Sequence, residues 1–237
     1  MSARATKEAL FDGFAQVAKA LSNGRRAEII DVLANGERSV ESLATEVHQS
    51  IANTSQHLQI LKNAGLVTPR RNGTFVYYRL ASPDVVGFWR ALQGIARASR
   101  GDIERLVHEY LGDKGDDIEE LTKEELWKRI RRKDKLVVLD VRPQEEFEAG
   151  HLPGAVSIPL EELKKRVKEL PKSKQIVAYC RGPLCALAPE ATRYLKSKGY
   201  KVQRLIDGAP DWEAAGLPLN RDTEYPPPVS SSSTKRR

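Results

Sequence analysis

Apolar residues recur at helical spacing along the first third of the chain. Leu10, Phe14, Val17 and Leu21 fall three or four positions apart, Phe11 and Ala18 widen the stripe, and Asn23-Gly24 breaks it. Ile29, Ile30, Val32 and Leu33 form a second apolar face, ended by Asn35-Gly36. Ser39 is placed to cap a short helix carrying Val40, Leu43, Ala44 and Val47. Ser50 is placed to cap the next helix, with Ile51, Leu58 and Leu61 inward and Thr54 beside them, closed by Ala64-Gly65. The period then changes. From Leu66 to Leu80 two β-rich arms flank Asn72-Gly73, a hairpin signal. Ser82-Pro83 opens another helix, with a capping hydroxyl and proline at its first position. Its apolar residues Val85, Phe88, Trp89, Leu92, Ile95 and Ala96 form a face too broad for a small winged domain to bury. Together with the Leu10/Phe14 helix it predicts packing against a second copy of the chain.

Beyond residue 112 short apolar runs alternate with helical stretches. The helix predicted from Leu121 to Ile130 turns Leu126, Trp127 and Ile130 inward, and Leu136–Val141 reads as a buried strand. A turn of helix at 145–150, a short strand at 156–158, a helix bearing Leu160, Leu163, Val167 and Leu170, and a strand at 175–179 follow. A helix at 188–198, a strand at 201–206 and a last helix near Trp212 complete the alternation, which implies a parallel sheet. Two domains are therefore expected: residues 1–111, mainly α and winged, and residues 118–221, α/β with a central parallel sheet. The segment 112–117 reads as a linker. The segment 222–237, with three successive prolines and a serine run, reads as a disordered tail.

Charge sharpens the reading of the first half. The 237 residues carry a formal net charge of +7, and no acidic residue lies between Glu46 and Asp84, while Lys62, Arg70, Arg71 and Arg79 do. An uncancelled positive field of that kind suits a polyanion. The Ser50-capped helix follows the Ser39-capped one after a brief turn, which is a helix-turn-helix. Its polar residues Asn53, Thr54, Ser55, Gln56, His57, Gln59 and Lys62 include no carboxylate, and Asn and Gln can pair bidentately with adenine. Arg70, Arg71 and Asn72 sit at the hairpin tip, where a wing meets phosphates.

On these residues the first half resembles the ArsR-type winged-helix regulators. The likeness runs through Ser39–Ala44, Thr54-Ser55-Gln56-His57-Leu58-Gln59-Ile60-Leu61-Lys62-Asn63-Ala64-Gly65-Leu66-Val67 and Tyr77-Tyr78-Arg79-Leu80, over residues 8–105. It implies a homodimeric repressor reading a palindromic operator in double-stranded DNA, with half-sites about 34–36 Å apart. The segment Glu37–Leu43 lacks the cysteines with which many members bind metal, and the helix after Ser82 has Arg97 and Arg100 instead of spaced histidines. No metal and no cofactor is expected.

The only two cysteines, Cys180 and Cys185, make neither a disulfide framework nor a four-cysteine zinc site. Cys180 follows a central strand, at the end where open α/β sheets place their sites. The stretch Arg181-Gly182-Pro183-Leu184-Cys185-Ala186 must then turn into a helix, so backbone N–H groups converge. Cys180 is expected as an exposed, anion-stabilised thiolate, aided by Arg181.

The second half resembles the rhodanese (sulfurtransferase) domain over residues 118–221. The matching residues are Leu139-Asp140-Val141-Arg142-Pro143 with Glu146-Phe147, Gly150-His151-Leu152-Pro153-Gly154-Ala155, Tyr179-Cys180, Asp207-Gly208-Ala209 with Trp212, and Gly216-Leu217-Pro218-Leu219. The resemblance implies that Cys180 accepts sulfane sulfur from a donor as a persulfide, and that Asp140 and Arg142 hold the framework. Related phosphatases place an arginine six positions after the nucleophile; here that position is Ala186, which leaves a phosphoryl group unclamped. Cys185, five positions after Cys180, is a candidate resolving thiol.

No run is long enough to span a bilayer, and Met1-Ser2-Ala3-Arg4 opens without the apolar core of a signal peptide, so a cytoplasmic protein is expected. The leading expectation is a transcriptional regulator responsive to reactive sulfur. The alternatives are a working sulfurtransferase tethered to DNA, and a repressor whose rhodanese fold is a silent interaction module.

Overall fold

The computed structural model describes residues 2–112 and 118–221. Most of the expected linker, residues 113–117, and the expected tail at 222–237 lie outside the described residues. Packing divides the chain into two compact units, one running to Val86 and the other from Gly87 onward. The division falls inside a helix, so most of that helix and the next one belong with the second unit.

The first unit combines helices α1 (Ala3–Ala20), α2 (Gly24–Leu33), α3 (Val40–Glu46) and α4 (Ile51–Asn63) with a small antiparallel sheet. Its strands β1 (Arg38–Ser39), β2 (Val67–Asn72) and β3 (Phe75–Leu80) run in the order β1-β3-β2. Side chains cap the first turns of α2, α3 and α4. Asn23 accepts from the Arg25 and Arg26 amides, Ser39 from Ser42, and Ser50 from Asn53. Each satisfies an N–H that has no partner within its helix. Gly65, at a φ of 73°, ends α4.

Two local expectations change. The hairpin ladder continues to Asn72 opposite Phe75, so the two-residue loop is Gly73-Thr74 and not Asn72-Gly73. Only Gly73 takes a positive φ, 60°, so Asn72 stays extended. Ile51 is 54% exposed, because the buried stripe of α4 runs through Thr54, Leu58 and Leu61, and the first residue of the helix lies outside it.

The second unit begins with α5 (Asp84–Ser99), from Gly87 on, and α6 (Gly101–Leu111). The sheet strands β4 (Glu120–Leu121), β5 (Leu136–Asp140), β6 (Val156–Ser157), β7 (Gln175–Tyr179) and β8 (Val202–Leu205) are all parallel, in the order β4-β8-β7-β5-β6. Helices α7 (Lys123–Arg131), α8 (Gln144–Ala149), α9 (Leu160–Arg166), α10 (Leu187–Ser197) and α11 (Ala209–Ala214) surround it. Leu121 belongs to an edge strand and not to a helix. Thr122 and Glu125 form a capping box that starts α7 one residue later, which frees the preceding pair to join β8.

Both faces of this sheet are buried, and strand alternation sorts the residues. Ile176, Ala178 and Cys180 face a core with Leu163 of α9 and Ala188, Ala191 and Leu195 of α10. Val177 and Tyr179 face another with Leu126 of α7 and Trp212 of α11. Trp127 and Trp212 meet edge to face at 5.7 Å.

The Thr54 hydroxyl is fully buried and has no hydrogen-bond partner. Removing such a group while keeping its shape removes an uncompensated desolvation cost. Thr54→Val is expected to stabilise the chain by about 1 kcal/mol, whereas Leu58→Ala in the same stripe should cost about 2–5 kcal/mol, both read from urea unfolding midpoints.

Candidate functional site

Two surfaces carry the residues singled out in the sequence. In the first unit, Asn53, Gln56, Gln59 and Lys62 are exposed on α4, and Arg71 and Asn72 are exposed at the wing. The helix-turn-helix therefore presents amides and a cation outward, with no carboxylate on α4 itself. Thr54 does not belong to that surface. It is turned into the core with Leu58 and Leu61, seven positions being close to two helical turns.

The remaining residues of this set are partly engaged within the protein. Ser55 and His57 are half-buried, and burial, helped by the charge of Arg26, holds the His57 pKa below its ordinary value. The imidazole is therefore neutral near pH 7, a hydrogen-bonding group and not a phosphate-binding cation. Gln59 hydrogen-bonds the Tyr78 hydroxyl, tying α4 to β3. Arg70 Nε donates to Glu37 Oε1 at 3.0 Å, and its guanidinium lies 5.2 Å from the Tyr77 ring centre. Glu37, one residue before β1, thus neutralises part of the wing charge. In sequence it sits outside the acid-free stretch, and nothing local marked it as Arg70's partner.

In the second unit, β7 delivers Cys180 to the C-terminal edge of the sheet, and the loop 181–186 leads into α10. Cys180 is 1% exposed, so the expectation of an exposed thiolate is corrected: the strand register turns its side chain onto the α9/α10 core. The sulfur is not sealed in apolar packing alone. The Gly182 and Ala188 amides point at it, and it lies 3.6 Å from the Cys185 carbonyl oxygen. Burial pushes the Cys180 thiol up, and it donates to the Cys185 sulfur. That hydrogen bond, aided by the Arg181 and Leu187 amides and the Arg181 charge, brings the Cys185 pKa down to about 6. Both cysteines are free thiols. The two shifts run in opposite directions: the thiol proton is favoured on Cys180 and negative charge on the partly buried Cys185.

The Arg181 side chain pairs with a carboxylate. Its Nε donates to both carboxylate oxygens of Glu146 at 3.1 Å, and Glu146 is buried at the start of α8. Arg181 acts on the thiols through its charge and its backbone. Asp140 and Arg142 form a buried bidentate pair: Arg142 Nε and a terminal nitrogen donate to Asp140 at 3.0 and 2.7 Å, and that terminal nitrogen also donates to the Gly150 carbonyl at 2.8 Å. The Arg142 guanidinium lies 5.5 Å from the Tyr179 ring centre, and the Tyr179 hydroxyl accepts the Leu152 amide at 3.2 Å. Together these bonds join the ends of β5 and β7 to the 150–152 loop.

Two glycines admit the loop. Gly182 has a φ of 130°, a conformation that favours glycine. A Cβ on Gly208 would stand 2.4 Å from the Arg181 carbonyl carbon, so the start of α11 and the cysteine loop touch through backbone. Sequence reasoning had Glu146 only as part of the resemblance, without its partner Arg181, and missed Asp211. Asp211 sits three positions after Gly208, and its side chain accepts the Gly208 amide at 2.8 Å, a capping pattern that the spacing does encode. Among the described residues no helix is long and apolar enough to cross a membrane.

Comparison with known proteins bears on both units. The family model of bacterial regulatory proteins of the arsR family matches residues 23–68, and that of the rhodanese-like domain matches residues 122–215. The HTH-type transcriptional regulator Rv0324 of Mycobacterium tuberculosis is 45% identical over 214 residues, 90% of this chain and 93% of its own length. A sulfurtransferase of Allochromatium vinosum is 31% identical over 103 residues, 43% of this chain and 94% of its own. A solution structure of the homodimeric winged helix-turn-helix DNA-binding domain of Mb0332 from Mycobacterium bovis, described as a possible ArsR-family regulator, shares 46% identity. It covers 42% of this chain and 91% of that one, with a TM-score of 0.39.

The shared proton leads to a pH prediction. Below its pKa Cys185 is a neutral thiol; above it, a thiolate. Alkylation of Cys185 by iodoacetamide is expected to rise through a midpoint at about 6 and level off by neutral pH. Cys180→Ala removes the hydrogen bond that depresses this value, so the midpoint should move upward; an unmoved midpoint would refute the proton-sharing pair.

Proposed function

The chain belongs to the arsR family of bacterial regulatory proteins and carries a rhodanese-like domain, and from that premise we propose that it is a DNA-binding repressor whose second half senses reactive sulfur at Cys180. In this reading residues 1–111 bind a palindromic operator as a homodimer in the cytoplasm, and residues 118–221 take up sulfane sulfur. The observation that carries it is the pair of free thiols on one loop, Cys180 buried and 3.6 Å from the Cys185 carbonyl oxygen, with the thiol proton favoured on Cys180.

The chemistry follows from that proton. Moving it from Cys180 to Cys185 leaves a Cys180 thiolate facing the Gly182 and Ala188 amides. The thiolate attacks the outer sulfur of thiosulfate; the sulfur–sulfur bond breaks, sulfite leaves with the electron pair, and Cys180 becomes a persulfide. Cys185, once deprotonated, attacks the Cys180 sulfur of that persulfide. Hydrosulfide leaves, the two thiols are oxidised to a disulfide, and the sulfane sulfur is reduced.

Dimerisation rests on uncovered apolar surface. Leu10, Phe11 and Phe14 of α1 are exposed, with Phe14 61% exposed, and so are Phe88, Leu92 and Ile95 of α5. Apolar faces of this kind mark contact surfaces, and a second copy supplies matching ones. On DNA, Asn53 and Gln56 read base edges, while Lys62, Arg71 and, less strongly, the Glu37-paired Arg70 meet phosphates.

The likeness to a sulfurtransferase supports an alternative in which the second half is an enzyme that passes sulfur on to an acceptor. The burial of Cys180 favours another, in which the rhodanese-like fold is a silent interaction module.

Three measurements separate these readings. Intact-mass analysis after thiosulfate or inorganic polysulfide should show added sulfur that Cys180→Ser abolishes, and Cys185→Ser should keep the persulfide without forming the disulfide. Affinity for the protein's own promoter should change after polysulfide in the unaltered chain and stay constant in Cys180→Ser. Turnover of thiosulfate and cyanide without any change in DNA affinity would instead identify the enzyme, and no added sulfur would leave the silent module. For DNA contact, Arg71→Ala should lower the slope of log affinity against log salt by about 1 at every sequence. Gln56→Ala should relax base preference with little change in that slope.

A further inference from the structure

One of the two amides aimed at Cys180 belongs to the peptide joining Arg181 to Gly182, and the carbonyl end of that peptide is held by a residue far away in sequence. Arg90, on the part of α5 that packs in the second unit, donates from a terminal nitrogen to the Arg181 carbonyl oxygen at 3.3 Å. Its Nε donates to Asp211 Oδ1 at 2.5 Å, the same terminal nitrogen reaches Asp211 Oδ2 at 3.3 Å, and the other terminal nitrogen donates to Gln93 Oε1 at 3.0 Å. Asp211 Oδ2 in turn accepts the Gly208 amide at 2.8 Å. The Arg90 side chain is 18% exposed and that of Asp211 7% exposed.

These groups bracket a single peptide. On one side is Gly208, where an added Cβ would lie 2.5 Å from the Arg181 carbonyl oxygen and 2.7 Å from the Gly182 nitrogen. On the other is Arg90, whose guanidinium would lie 2.5 Å from a Cβ on Gly182. A peptide followed by glycine at a φ of 130° has few steric barriers to turning over. If it turned, its N–H would leave the Cys180 sulfur and its carbonyl oxygen would face the sulfur instead. A hydrogen bond from a cation to the carbonyl opposes that rotation and polarises the N–H at the other end of the peptide.

We propose that Arg90 is a positioning residue for sulfur acceptance at Cys180: it locks the Arg181–Gly182 peptide with its N–H toward the sulfur, and Asp211 holds Arg90 in place. This rests on the sulfur-accepting role of Cys180 above, and names the group that prepares the site for it. Arg90 touches neither sulfur. It acts through the peptide, and no local pattern in the sequence connects it with a loop ninety-one positions later. The charged and titratable groups that meet the loop include Cys185 and Arg181 within it, Glu146 of α8 on Arg181, Arg204 of β8, which donates to the Pro183 carbonyl at 3.0 Å, Asp211 of α11 and Arg90 itself.

The test uses the full chain in a Cys185→Ala background, so that Cys180 is the only thiol. Alkylation of Cys180 by iodoacetamide is followed against pH, with Arg90→Met keeping the length of the side chain and removing its donors. The thiolate midpoint is expected to rise by about one unit, a roughly tenfold slower reaction at any pH below the midpoint. Arg90→Lys keeps a cation opposite Asp211 and one donor, and should recover part of the loss; a merely structural side chain would show no such graded rescue in the midpoint. If Arg90→Met does not fold, as judged by circular dichroism, Arg90→Lys alone must still show a raised midpoint. Sulfur uptake from polysulfide is measured by mass in the same proteins. A shifted midpoint in a chain that takes up no sulfur supports the role of Arg90 and removes the sulfur reading. Unchanged midpoints in Arg90→Met, or in Arg90→Lys where Arg90→Met fails to fold, with or without uptake, overturn the role of Arg90.

Discussion

A parallel sheet covered on both faces leaves its polar groups nowhere to find water, and this constraint organises the second unit. At the C-terminal edge of β5 the Asp140 carboxylate is fully buried, and Arg142 answers it with a bidentate pair. Each partner of the pair has further contacts. Arg142 donates to the Gly150 carbonyl and lies over the Tyr179 ring, and Asp140 accepts the Arg142 amide at 2.9 Å. Breaking such a pair on one side leaves a buried charge uncompensated, at a cost of about 3–5 kcal/mol. The strand ends that carry the cysteine loop are therefore held by electrostatics as well as by packing. Arg181 and Glu146 repeat the arrangement beside them.

The same absence of water shapes the thiols. A lone buried sulfur would remain protonated, because its anion loses solvation. Two sulfurs sharing a proton behave differently. The more deeply buried Cys180 keeps the hydrogen, and the half-exposed Cys185 takes the charge, where solvent and backbone amides support it.

The first unit obeys a looser rule. Its helices bury one stripe each and leave the other faces to solvent or partners. On α4 the division is sharp. Thr54, Leu58 and Leu61 turn inward, and Asn53, Gln56 and Lys62 turn outward. Not every polar residue of that helix is free for DNA, since Gln59 holds Tyr78 and His57 is partly enclosed beside Arg26.

Much of this was legible in the sequence because it is local. Caps at Ser39 and Ser50, the hairpin around Gly73 and the alternation of β7 are set by a residue and its near neighbours, and local pattern reads them directly. The resemblance of the Tyr179-Cys180 region to a known loop also placed Cys180 at a strand end. What only the tertiary structure decided is long-range pairing and burial: Glu37 on Arg70, Glu146 on Arg181, Arg90 on the Arg181 carbonyl, and the near-complete enclosure of Cys180. A charged side chain carries no mark of a partner tens of positions away. Whether a sulfur meets water depends on which helices cover it, and those helices arrive from other parts of the chain.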